Sequence, residues 1–111
     1  MIHVLRVRAT KEQLSQLLRM YGAYVKLAVD IRRQVIAGGG ALHSDCEEAL
    51  LLDGSLQEDI WGVGWLPSTA EVLHRALINI RPRQSNPSMT ILDPAIRAQV
   101  EQLVKRLLEG V

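Results

Sequence analysis

The sequence contains no phenylalanine, and its aromatic residues are limited to two tryptophans and two tyrosines. Leucine, valine and isoleucine must therefore fill most of the hydrophobic core. The single cysteine, Cys46, excludes an internal disulfide bond and a zinc site made of four thiolates. Neither kind of cross-link can stabilise this chain, so packing and hydrogen bonding must do so.

The chain has neither a large excess of charge of one sign nor a long hydrophobic run. The chain has 13 Lys and Arg against 12 Asp and Glu, and this net charge of +1 argues against strong non-specific attraction to nucleic acid. Nowhere do about 18 apolar residues follow one another, and the first residues lack a signal-peptide pattern. We therefore expect a cytoplasmic protein whose partner is neither a membrane nor a nucleic acid.

The length of 111 residues, 48% of them hydrophobic, is enough for one ordinary core and too short for two domains. The chain shows no internal repeat or low-complexity segment. We expect residues 1–111 to form a single globular domain.

The first part of the chain predicts a strand followed by a helix. Alternating apolar residues favour a short strand over Ile2–Val7. Thr10 and Gln13 have the spacing of a capping box, and three leucines and a tyrosine then recur at helical spacing. This helix is expected to stop at Gly22.

A β-hairpin is predicted next. The runs Val25–Ile31 and Val35–Ile36 are rich in β-branched residues, which favour strands. A helix over Tyr24–Ala37 is the competing interpretation, because several of the same residues would share a helical face.

The middle of the chain predicts another helix and another hairpin. Ser44 and Glu47 have capping-box spacing and open a helix that is expected to end at Gly54. Two strands, Ile60–Trp65 and Val72–Arg81, follow on either side of a turn-rich segment.

The last element is a helix over Pro94–Glu109. Asp93 is placed to cap it, Pro94 suits its first position, and Gly110 suits its end. The order of elements predicts an α+β domain, with a mainly antiparallel sheet of hairpins packed against an N-terminal and a C-terminal helix.

Four groups suited to recognition are concentrated in Leu77–Asn86. They are Asn79, Arg81, Arg83 and Asn86, and guanidinium geometry matches carboxylate and phosphate. Strand alternation would turn Leu77, Asn79 and Arg81 toward solvent or a cleft and Ala76, Ile78 and Ile80 toward the core. The segment therefore predicts an anion-binding site, with ordinary surface arginines as the alternative.

His43, Asp45 and Glu47 form a second candidate site. Helical spacing puts His43 and Glu47 on one face with Asp45 in the same turn, so the three could hold a divalent metal or act in acid-base chemistry. Acidic residues are, however, also what the first turn of a helix favours. The structural explanation is preferred, and no cofactor is expected.

Three further features have mainly structural explanations. Gly38–Gly40 could cradle a phosphate, but nearby carboxylates oppose an anion, which favours a turn with positive φ or a close backbone approach. Helical spacing points Cys46 inward with Leu50. Trp61 and Trp65 share a strand face, either in the core or as a stacking surface that would add Trp61 to the ligand site.

Several consecutive motifs resemble an uncharacterised bacterial family of unknown function. They are Gly-Gly-x-x-His-x-Asp from Gly39, Asp-Ile-Trp-Gly from Asp59 and Ile-Asn-Ile-Arg-Pro from Ile78. The resemblance covers nearly the whole chain and implies no activity. The family pattern has an acidic residue and a serine before the last motif, where this chain has His74, Arg75 and Ala76, so a carboxylate role there is in doubt.

Two functions follow from these observations. In the first, the acidic turn and the arginine segment pair with each other, internally or across a homodimer whose surface includes the Trp-containing hairpin. In the second, they form opposite walls of a cleft that binds a small anionic ligand or catalyses a reaction. The sequence favours the first slightly.

Overall fold

The computed structural model describes residues 2–21 and 23–109, with the backbone only at residues 19–21. Its strands are β1 (His3–Leu5), β2 (Val25–Asp30), β3 (Val35–Gly38), β4 (Ile60–Leu66) and β5 (Glu71–Leu73). Its helices are α1 (Lys11–Tyr21), α2 (His43–Leu52) and α3 (Pro94–Leu108). Short 3₁₀ turns lie at Gln57–Asp59, Leu77–Asn79 and Pro82–Gln84.

The strands form one antiparallel sheet in the order β1-β3-β2-β4-β5. The predicted α+β class is confirmed, and so is the hairpin of β2 and β3. The alternative helix over Tyr24–Ala37 is wrong, because every second residue of β2 packs into the core on the same face of the sheet.

Helices cover both faces of this sheet. Leu17 of α1 and Val100 of α3 pack in one core cluster with Val25, Leu27 and Val29 of β2. Cys46 and Leu50 of α2 pack in a second cluster with Ala28, Ala37 and Ile60 on the opposite face. The N-terminal and C-terminal helices therefore share one face, and α2 lies alone on the other. None of the helices in the described residues is long and apolar enough to cross a membrane.

Two of the three predicted helix starts are confirmed. The Thr10 hydroxyl accepts from the Gln13 N–H at 3.1 Å, and the Gln13 amide oxygen accepts from the Thr10 N–H at 2.9 Å. At α3, an Asp93 carboxylate oxygen accepts from the Ala95 N–H at 2.8 Å. The helix ends predicted at Gly22 and Gly110 lie outside the described residues.

The capping box predicted at Ser44 and Glu47 is wrong, because α2 begins earlier. Leu42 is the N-cap residue, and its backbone N–H donates to the Asp45 carboxylate at 3.1 Å. The predicted end of α2 is confirmed, since Gly54 follows the C-cap residue Asp53 and has a φ of 103°.

The predicted strand Val72–Arg81 is wrong beyond Leu73. Arg75 makes a single bridge to Thr90, and residues 77–79 then form a 3₁₀ turn. The apolar alternation in this segment suggested a strand. The segment is instead joined to β4 by the side chain of Asn79 and not by a ladder of backbone hydrogen bonds.

Glycines permit close approaches at several places in the sheet, two of which bear on the predictions. Gly39 has a φ of 100°, and a Cβ at Gly38 would lie 2.8 Å from a Leu27 methyl carbon, so the structural explanation of Gly38–Gly40 is confirmed. In β4, a Cβ on Gly62 would lie 2.6 Å from the Ala76 Cβ. Gly62 therefore lets the irregular segment after β5 lie directly on the sheet.

Candidate functional site

Asn79 attaches the segment after β5 to the edge of β4. Its amide oxygen accepts from the Gly62 N–H at 2.7 Å, and its amide nitrogen donates to the Gly62 carbonyl at 2.8 Å. The same nitrogen donates to the Met89 carbonyl at 3.0 Å. β5 pairs with β4 only from Gly64 to Leu66, so the Asn79 amide satisfies backbone groups of Gly62 that β5 does not reach.

Asn86 organises the loop that follows. Its backbone exchanges two hydrogen bonds with Arg81, at 2.6 and 3.0 Å. Its side-chain nitrogen donates to the carbonyls of Asn79, Ser88 and Thr90, and its side-chain oxygen accepts from the Leu92 N–H at 2.9 Å. The amide is buried and its hydrogen-bonding capacity is used within the protein.

Arg81 joins this segment to α2. Its guanidinium donates to the Ile78 carbonyl at 3.0 Å, to the Gln57 carbonyl at 2.6 Å and to the Glu47 carboxylate at 3.2 Å. Its central carbon lies 5.0 Å from the ring centroid of Trp61. Burial lowers the pKa of Arg81, and the charge of Glu47 opposes that effect.

The predicted faces are wrong at Asn79 and Arg81, which are 0% and 8% exposed, and at Ile80, which is 44% exposed. They are right at the other three positions, since Leu77 is 71% exposed, Ala76 is buried and Ile78 packs against the core. The 3₁₀ turn replaces the twofold alternation of a strand, and buried hydrogen-bond partners draw the polar side chains inward. Arg83 is exposed.

Trp61 and Trp65 both lie in the core, at 2% and 3% exposure. Neither tryptophan provides a stacking surface on the outside of the hairpin. The ligand-binding role of Asn79, Arg81, Arg83, Asn86 and Trp61 stays a prediction, and all but Arg83 are buried.

We predict that Asn79→Asp destabilises the fold by about 2 to 4 kcal/mol. Aspartate retains an acceptor for the Gly62 N–H but has no donors for the carbonyls of Gly62 and Met89, and it places a charge in a buried site. Urea denaturation measures the change. Gln84→Glu alters an exposed amide that also donates to a carbonyl, and it should change stability by less than about 0.5 kcal/mol. Similar stabilities for the two variants would contradict this role for Asn79.

We predict that Arg81→Ala costs about 3 to 5 kcal/mol, because it leaves the largely buried Glu47 carboxylate without its partner. Arg83→Ala should cost less than about 0.5 kcal/mol, as expected for an exposed arginine. Thermal and urea unfolding of the two variants compare them directly. A small loss in Arg81→Ala would show that the ion pair is not a structural element.

The candidate metal residues face different partners. The His43 Nε2 lies 2.9 Å from the Val63 carbonyl, Asp45 accepts from Leu42, and Glu47 pairs with Arg81. Within residues 2–21 and 23–109, no group of three or more His, Cys, Asp or Glu side chains is arranged to hold a metal ion. Metal binding by His43, Asp45 and Glu47 stays a prediction without a converging ligand set.

A cavity of about 720 Å³ lies beside the start of α2. Its walls come from the start of α2, from Tyr24 and Lys26, from β5, from the segment that Asn79 holds and from Arg97 of α3. The lining side chains are Tyr24, Lys26, Leu42, His43, Ser44, Val72, Leu73, His74, Arg75, Ala76, Leu77, Ile78, Met89, Thr90 and Arg97. We call it the α2 cavity.

The charged lining of the α2 cavity is entirely cationic. Lys26, Arg75 and Arg97 contribute positive charge, and no Asp or Glu occurs among the described lining residues. Lys26 donates to the Ala41 carbonyl at 2.9 Å, and Arg97 donates to the Ile91 carbonyl. Arg75 is exposed, and its guanidinium makes a long 3.9 Å contact with the Met89 sulfur. Arg75 is therefore the cation whose donors are least committed within the protein.

Two titratable side chains of the wall have shifted pKa values. Burial lowers the pKa of His43, and the charge of Lys26 adds to this effect against the opposing hydrogen bond to Val63. Burial raises the pKa of Tyr24. Both shifts favour the neutral form of the side chain at pH 7.

Sequence reasoning identified His43 but not this cavity. Lys26, Arg75 and Arg97 are far apart in sequence and follow no common spacing, so no motif could connect them.

The family model of a protein of unknown function (DUF5674) matches residues 3–107 of the chain. Neither a curated protein nor a solved structure matches.

Proposed function

We propose that this chain, which belongs to that family of proteins of unknown function, is a binding domain for a small anionic molecule with an apolar body. The proposed site is the α2 cavity. The observation that carries the proposal is the combination of three cations, no carboxylate and apolar walls in one cavity. Small-molecule sites commonly have this size and a mainly apolar lining with a few polar groups that fix the orientation.

Each part of the cavity has a role in this proposal. Arg75 supplies a guanidinium that can bind a carboxylate or phosphate through two parallel hydrogen bonds. The exposed side chains of Leu42, Leu73 and Leu77 would cover the apolar body of the ligand. Two of these walls are fixed without a ligand, one by packing of α2 and the other by Asn79, so little ordering is needed on binding.

We predict that phenylpropionate and phenyl phosphate bind, and that the neutral phenylpropanol binds at least about tenfold more weakly. Arg75→Gln should lose about tenfold in affinity for the anions, because a hydrogen bond between charged groups contributes about 1.5 to 3 kcal/mol. Isothermal titration calorimetry measures each affinity.

Arg83→Gln is the matched control, since Arg83 is an exposed arginine that does not line the cavity. Its affinities should equal those of the wild type. Equal losses in the two variants would favour the arginine segment predicted from sequence, and no binding of either anion would contradict the proposed function.

We also propose that two copies of the chain associate. The tryptophans that suggested a homodimer lie in the core, but three leucines are exposed within six residues at the end of α2 and just beyond it. Leu51, Leu52 and Leu56 are 40%, 82% and 50% exposed. A cluster of exposed apolar side chains of this kind is typical of an interface between copies.

We predict a dimer mass for the wild type and a monomer mass for Leu52→Lys by multi-angle light scattering at micromolar concentration. Burying a lysine in an apolar interface without a partner strongly disfavours association. Leu92→Lys is the control, because Leu92 is 48% exposed and lies two residues before α3, which packs on the opposite face of the sheet from α2. A monomeric wild type would contradict this second proposal.

A further inference from the structure

His43 has a fixed orientation in the wall of the α2 cavity. Its Nε2 lies 2.9 Å from the Val63 carbonyl of β4. A carbonyl oxygen only accepts hydrogen bonds, so Nε2 carries a proton, and the neutral ring has its lone pair on Nδ1. The tautomer of His43 is therefore set by the sheet.

The Nδ1 atom of His43 is available to a ligand. Among the described residues it meets no hydrogen-bond partner, and the His43 side chain lines the cavity. Burial and the nearby charge of Lys26 both disfavour a second proton on the ring. Nδ1 therefore presents an acceptor.

The other polar groups of the wall do not duplicate this acceptor. Lys26, Arg75 and Arg97 can only donate. The hydroxyl groups of the wall can rotate either to donate or to accept. His74, the other histidine of the wall, has a buried Nδ1, and its Nε2 lies 3.5 Å from Glu101. Nδ1 of His43 is thus the one side-chain nitrogen in the described wall that offers a ligand an acceptor and no donor.

We infer that the ligand of the α2 cavity carries an O–H or N–H donor in addition to its anionic group, and that His43 Nδ1 accepts from that donor. This inference rests on the proposed function and narrows its ligand class to hydroxy or amino derivatives of carboxylates and to related phosphates. The anionic group of the ligand binds the cations of the wall, and its O–H or N–H donor distinguishes it from other molecules of equal charge. Such selection is effective because a ligand without the donor leaves the acceptor unpaired.

The test compares phenyllactate with phenylpropionate, which differ by one hydroxyl group. We expect wild-type protein to bind phenyllactate about threefold to tenfold more tightly, the effect of one net hydrogen bond. In His43→Phe the ratio of the two affinities should fall to about one, whatever the change in the affinity for phenylpropionate. His3→Phe, which replaces a histidine of β1 at the opposite edge of the sheet, should keep the preference.

A second measurement needs no substitution. The ¹⁵N chemical shifts of His43 in wild-type protein at neutral pH should show a protonated Nε2 and an unprotonated Nδ1, and phenyllactate alone should shift the Nδ1 resonance. This readout also covers the case in which His43→Phe does not fold.

Each outcome has a defined meaning. Equal affinities of the two probes in wild type would overturn this inference and leave the proposed function intact. Persistence of the preference in His43→Phe, or its loss in Ser44→Ala, would assign the acceptor elsewhere and also overturn it. Failure of both probes and of phenyl phosphate to bind would contradict the proposed function and this inference together.

Discussion

The pair of hydrogen bonds between the Asn79 amide and the backbone of Gly62 is the contact that holds the segment after β5, and with it one wall of the α2 cavity, against the sheet. β5 is short and leaves the first part of β4 without a strand neighbour on that side. One buried amide takes the place of that neighbour. Because it does so through a side chain, the backbone around it is free to adopt a 3₁₀ turn, and the turn becomes a wall of the α2 cavity.

This arrangement separates residues that hold the fold from residues that can meet a ligand. Asn79, Asn86 and Arg81 have the chemistry of a recognition site, yet their donors and acceptors are used within the protein. Arg75 and His43 have fewer hydrogen bonds within the protein, and each has a donor or an acceptor left for a ligand in the cavity. In this chain, therefore, the polar residues that are most concentrated in sequence stabilise the fold, and the groups with donors or acceptors left for a ligand lie elsewhere.

The sequence predicted the elements whose signals are local. The capping residues Thr10 and Asp93, the hairpin of β2 and β3 and the positive φ of Gly39 follow from short-range geometry, and the structure agrees with each. The strand predicted over Leu77–Arg81 was wrong, because apolar alternation does not reveal whether the hydrogen-bonding groups at the edge of a sheet are paired by a backbone or by a side chain. The sequence also missed the cavity, because the cations at its walls come together only through tertiary packing.

The one thiol of the chain has a consequence for how the protein can be studied. Cys46 is fully buried under α2, and burial raises the pKa of its thiol, so a thiol reagent cannot reach a reactive sulfur while the helix is packed. Modification requires α2 to leave the sheet. The rate of alkylation therefore measures how often α2 opens. A ligand bound against the start of α2 would lower that rate without contacting the cysteine.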